Sequence, residues 1–195
     1  MAVTVETLPV HRIAEAIDAL ASLRIAVFRE WPYLYDGDAA YEREYLAEFA
    51  AAPDAALVIA RDGDTIVGAA TASPLAAQKD AFKAPFVANG WDVARAFYFG
   101  ESVLLPGYRG QGIGHAFFDH RETAGRAAGA NVALFCAVQR PADHPMRPSD
   151  YRPLDAFWAK RGYARVSGLV TSFDWLDIGD THETPHPMQF WARML

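Results

Sequence analysis

Residues 104–115 read Leu-Leu-Pro-Gly-Tyr-Arg-Gly-Gln-Gly-Ile-Gly-His: an apolar strand end, a turn, three glycines at alternate positions and the start of a helical pattern. Backbone N–H groups at such a strand-to-helix turn point the same way. Gly110, Gly112 and Gly114 carry no Cβ to block an anionic group from reaching them. The stretch therefore reads as built to hold a phosphate.

The motif's details decide which phosphate loop this is. A Walker A loop needs Lys-Ser/Thr after its last glycine, and here His115-Ala116 follows. A dinucleotide fingerprint needs glycines at offsets zero, two and five after a domain's first strand. Counted from Gly110, the third position is His115, and about half the chain precedes the loop. The spacing that does match is Arg109-x-x-Gly112-x-Gly114, preceded by Pro106-Gly107-Tyr108. At these residues the chain resembles the GNAT acyltransferases, whose signature is Arg/Gln-x-x-Gly-x-Gly/Ala between the fourth strand and the third helix. Phe157-Trp158-Ala159-Lys160-Arg161-Gly162-Tyr163 is similar to the family's second landmark, an aromatic-rich helix ending in Lys-x-Gly-aromatic.

At 195 residues the chain reads as one domain, 1–195, with a substantial core: 52% of its residues are hydrophobic. The apolar runs fall short of a membrane span and the N-terminus lacks a signal-like pattern, so a soluble, cytoplasmic protein is expected. The net charge is −6 and basic residues do not cluster, which argues against nucleic acid as a partner. A single cysteine excludes an intramolecular disulfide. Cys136 lies in the apolar run Val132 to Val138 and reads as buried. His182-Glu183-Thr184-Pro185-His186 has the letters of a zinc-protease helix. Pro185 and Pro187 oppose a helix there, so a loop between two strands is expected and no metal is assigned.

Periodicity predicts a first strand over 3–8, a helical region over 13–28 ending at Trp31-Pro32, and a helix over 39–51. A hairpin follows, turning at Asp62-Gly63. Residues 74–92 read as irregular. Next come a strand over 96–105, the glycine loop, a helix over 112–128, a strand over 132–138, a proline-rich connection over 139–153 and a helix around 154–161. Runs 169–178 and 188–195 close the chain as two pairing strands. The order resembles an α/β GNAT fold over nearly the whole chain: a mixed, mostly antiparallel sheet of about seven strands with about four helices on its faces.

The resemblance implies acetyl-CoA, or another acyl-CoA, as co-substrate, with no metal. The pyrophosphate would meet the backbone amides of Arg109, Gly110, Gln111, Gly112, Ile113, Gly114 and His115. The pantetheine arm would run along the main chain of Ser102, Val103 and Leu104, and Gly100 would mark where that strand splays. The acceptor would be an amine of a small molecule or peptide, and a homodimer is compatible with the family. Members often place acidic residues on this strand, so Glu101 is the candidate base or amine anchor; it alone is acidic between Asp92 and Asp119. The family's usual general-acid tyrosine is replaced here by Trp158, whose indole N–H donates hydrogen bonds but is not a usable acid. Tyr151 is the nearest substitute; alternatively the thiolate, of pKa ~8.5, leaves unaided. Trp31, Tyr33 and Tyr35 fall where the family shapes its acceptor pocket. A catalytically silent acyl-CoA-binding module is the competing implication.

Overall fold

The computed structural model describes residues 3–195. Strands β1 (Thr4–Leu8), β2 (Ala56–Asp62), β3 (Thr65–Pro74), β4 (Ala96–Leu104), β5 (Val132–Val138), β6 (Ala164–Trp175) and β7 (Thr184–Met194) form one sheet in the order β1-β2-β3-β4-β5-β7-β6. Among the described residues, only β4 and β5 run parallel.

Helices cover both faces, which is why the central strands read as unbroken apolar runs rather than alternating ones. Leu57 and Ile59 of β2 pack with Leu20, Leu23 and Leu46, from helices α1 (Ile17–Phe28) and α2 (Ala39–Ala50). Their neighbours Val58 and Ala60 face Ile113 and Phe117 of helix α4 (Ile113–Ala127) on the opposite side. A further helix, α5 (Asp155–Lys160), lays Phe157 and Trp158 beside Phe118, Phe135 and Trp191. No helix among the described residues is long and apolar enough to cross a membrane.

Three segments differ from the sequence expectations. The stretch read as irregular contains helix α3 (Asp80–Ala88), giving five α-helices rather than about four. Pro85 lies inside it and masks the pattern. Tertiary packing wins: Phe82 and Phe86 stand 5.6 and 4.7 Å, centroid to centroid, from Phe190. The first helical region is divided, with Val10–Ala16 wound as a 3-10 helix before α1. The last two strands start earlier than their apolar runs, at Ala164 and Thr184. Thr184, Pro185 and His186 thus belong to β7 and not to the connecting loop, in an extended conformation that cannot put two histidines on one helical face.

Candidate active site

The site grows out of a defect between β4 and β5. These strands pair only through Ala96, Phe97 and Tyr98, against Val132, Ala133 and Leu134. Beyond Tyr98 they diverge. On the other side of β4, Ala70 of β3 faces Ser102 while Ala72 faces Phe99, so β4 carries one residue more than its partner. This bulge bends the strand. Gly100 sits in it, where a Cβ would collide with Thr71 Oγ1. That hydroxyl accepts a hydrogen bond from the Glu101 backbone N–H at 3.2 Å. The glycine therefore meets a close approach that the bulge requires.

Arg121 secures the bulge from α4. Its guanidinium is fully buried and donates to the Phe117, Thr71 and Glu101 carbonyls at 3.1, 3.4 and 3.4 Å. It lies 4.4 Å from the Phe99 ring centroid. Burial pulls its pKa down to about 10, against the pull of Tyr163 and Glu101, so it remains charged at neutral pH.

Where the strands part, a cleft of about 1080 Å³ opens. Gly110, Gly112, Gly114, Arg109, His115, Leu104, Ser102, Glu101 and Tyr151 all border it. Of the remaining sequence candidates, Val103 turns its side chain into the core beneath α1, and Ile113 into the core beneath α4. Gln111 is exposed and donates to the Gly107 carbonyl at 3.2 Å. Trp31 and Tyr33 line the cleft, whereas Tyr35 bridges to Asp177.

The glycine loop suits an anion. Gly110 and Gly112 have φ of 78° and 83°, and no atom lies within 4 Å of a Cβ built on either. Gly112 caps α4 without any side-chain hydrogen bond. Among the described residues, the backbone N–H groups of Gly110, Gln111, Gly112, Ile113 and Gly114 have no acceptor, so five successive donors are unpaired at the positive end of a helix. The ends of the expected run are already engaged. The Arg109 N–H donates to the Pro106 carbonyl at 3.1 Å and the His115 N–H to the Gly112 carbonyl at 2.9 Å. The Arg109 side chain turns back, donating to the Leu104 carbonyl at 3.2 Å and pairing with Glu30 at 2.9 Å.

Glu101, at the cleft wall, is largely buried. Its Oε2 meets Arg24 Nη1 at 2.8 Å, and Arg24 Nε in turn meets the wholly buried Glu42. Burial lowers the Arg24 pKa, but the carboxylates of Glu101 and Glu42 outweigh it and the net shift is upward. Oε1 of each carboxylate is buried without a hydrogen-bond partner. Trp158 packs 5.0 Å from Phe135 and 5.2 Å from Trp191, as an apolar wall. Tyr151 stands 5.9 Å from Trp31; burial raises its pKa, helped by the Asp155 carboxylate, so the phenol keeps its proton. The proline-rich connection is fastened at its start by Arg140, bound to Asp177 at 2.6 and 2.7 Å and to the Pro32 and Tyr33 carbonyls at 2.9 and 2.6 Å.

Sequence reasoning missed Arg24, Glu42 and Arg121. A signal was available. Leu20-Arg24-Phe28 and Ile113-Phe117-Arg121 each recur every four residues on a helix, so a charge stands where the stripe calls for an apolar residue.

A seven-stranded mixed sheet thus opens between two parallel strands, with unpaired amides at a helix start beside the opening. The profile described as the acetyltransferase (GNAT) family matches residues 20–148. The chain belongs to the GNAT family of acetyltransferases. Solved structures share the fold over nearly their full length. YncA from Salmonella typhimurium, determined with its cofactor acetyl-CoA, is 11% identical over 100% of this chain and 95% of its own, with a TM-score of 0.62. A ribosomal-protein-alanine N-acetyltransferase from Brucella melitensis is 12% identical over 98% and 99%, with a TM-score of 0.61. An aminoglycoside 6'-N-acetyltransferase complexed with coenzyme A is 16% identical over 98% and 96%, with a TM-score of 0.59. No curated protein sequence matches the chain significantly.

Proposed function

We propose that residues 1–195 form one N-acyltransferase domain that moves an acetyl group, or another acyl group, from its CoA thioester to an amine of a small molecule or peptide. One observation carries this reading: a single cleft is bordered both by Gly110, Gly112 and Gly114, whose backbone N–H groups are unpaired, and by a buried carboxylate, so donor and acceptor ends share one space. Acetyl-CoA supplies the activated thioester. Gly110 to Gly114 bind its pyrophosphate through their amides. The edge of β4 from Ser102 to Leu104, unpaired toward β5, offers main-chain groups to the pantetheine arm. Glu101 holds the incoming amine and takes its proton during attack. Tyr151, kept protonated, supplies the donor that Trp158 cannot. No metal enters the scheme, and a cytoplasmic setting suits dependence on acyl-CoA.

Trp158 favours a second reading, a module that binds acyl-CoA without turning it over. Two measurements decide. Calorimetry with millimolar acetyl-CoA should show binding, and its absence removes both readings. Thiol release above background with at least one member of an amine panel then separates the enzyme from the silent module.

A further inference from the structure

The acceptor half of the cleft is built from Phe28, Trp31 and Tyr33 at the end of α1, and from Met146 and Tyr151 of the proline-rich connection. Phe28 and Tyr33 lie 4.4 Å apart, ring to ring, and Trp31 spans from His144 to Tyr151 at 5.0 and 5.9 Å. The Trp31 indole N–H is buried without an acceptor in this largely aromatic wall.

The charges around this wall are mostly spent. The acidic residues bordering the cleft are Glu30, Glu101, Asp150 and Asp155. Glu30 is held by Arg109 and Asp155 by Arg165, and both stand at the partly exposed margin. Asp150 is exposed at the rim. Of these four, only Glu101 combines burial with a carboxylate oxygen that no protein group engages. An acceptor with several spaced ammonium groups would have to bury its extra charges against rings with no matching anion, which is strongly unfavourable. One ammonium next to Glu101 is compensated. An aromatic or alkyl body then fills the wall, and ring faces also attract a nearby cation.

We infer that the acceptor is a monoamine with an aromatic or otherwise apolar body, its nitrogen at Glu101 and its body against Phe28, Trp31 and Tyr33. This rests on the acyltransferase reading and narrows it. In the reaction a C–N bond forms between the amine nitrogen and the acyl carbon, and the C–S bond breaks. The nitrogen's proton goes to Glu101 and then to solvent, and the thiolate leaves as CoA thiol after taking one proton. The sum is ammonium plus thioester giving amide, thiol and one proton.

The test is steady-state thiol release by the full chain with 2-phenylethylamine and with spermidine, alongside acetyl-CoA calorimetry. The expected kcat/KM for 2-phenylethylamine exceeds that for spermidine by about tenfold or more. Trp31→Ala should raise KM for 2-phenylethylamine by about tenfold while leaving acetyl-CoA affinity within about twofold, which also shows that the variant is folded. Equal or better use of spermidine overturns the inference. So does turnover of neither amine when acetyl-CoA binds, an outcome that leaves the donor site standing. Failure of acetyl-CoA to bind instead removes the acyltransferase reading beneath it.

Discussion

Arg24 holds Glu101 at 2.8 Å with one nitrogen and Glu42 with another, so a single guanidinium on α1 ties α2 to the bulge of β4. The pairing joins the helical roof to the strand that borders the reaction space. It also sets two buried carboxylates close to one cation.

Removing that cation should be costly. Arg24→Met leaves both carboxylates buried without compensation, and stability to chemical denaturation is expected to fall by about 3–5 kcal/mol. Arg24→Lys should recover part of the loss. The Arg24 pKa is raised on folding, so its contribution is complete at any pH below the ordinary arginine value and fades only in strong alkali. Denaturation midpoints of the wild type should therefore show no loss from this pair between neutral and mildly alkaline pH.

Glu101→Gln keeps the shape of the cleft wall and removes its charge. Under the acyltransferase reading, kcat/KM for the amine drops by about 100-fold, within the range general-base catalysis supplies. Acetyl-CoA affinity should hold. Unchanged turnover would take Glu101 out of the mechanism.

Gly112 needs a backbone conformation that side chains resist, with φ at 83° where α4 begins. Gly112→Ala is expected to lower stability by about 1 kcal/mol and to weaken acetyl-CoA binding by about tenfold or more as the amides tilt. Calorimetry and thermal melting read the two effects separately.

Tyr151→Phe tests the substitute acid. Burial and Asp155 raise the phenol's pKa, so its proton is present across the neutral range and into mild alkali. The expected result is a fall in kcat of about tenfold, with acetyl-CoA affinity retained. A wild-type kcat would mean that the thiolate leaves without help from this residue.

Cys136 is half-buried at the cleft wall rather than fully buried as its apolar run suggests, and desolvation there pushes its thiol up to about 12, with Tyr98 Oη 3.3 Å from its sulfur. Because the thiolate is the reactive form, iodoacetamide should modify the folded protein very slowly at pH 8. One thiol should react at once after unfolding. Mass spectrometry of the two samples gives the answer.

The glycine loop and the order of strands were legible because both rest on local patterns: alternate glycines, a turn at Asp62-Gly63, apolar runs bounded by polar residues. Helix α3 was not, since Pro85 argues locally against it and only the aromatic contact with Phe190 sustains it. The site divides the same way. Glu101 could be singled out because it is acidic on an apolar strand. Its partner Arg24 could not be paired with it, because the contact spans 77 residues of chain and depends on how α1 crosses the sheet. The partners of Arg121 were hidden for the same reason: they are carbonyls exposed by a bulge that no residue spelling announces.

The parting of β4 from β5 has a mechanical meaning. Three residue pairs are all that stitch the two halves of the sheet together there. A donor lying in the gap would act as a replaceable segment of the fold, giving unpaired strand edges the bonds they lack. Thermal stability should then track acyl-CoA concentration, rising by about 2.7 kcal/mol at one hundred times the dissociation constant. Spent thiol leaving the gap would loosen the seam again, so each catalytic cycle would tighten and relax the middle of the sheet.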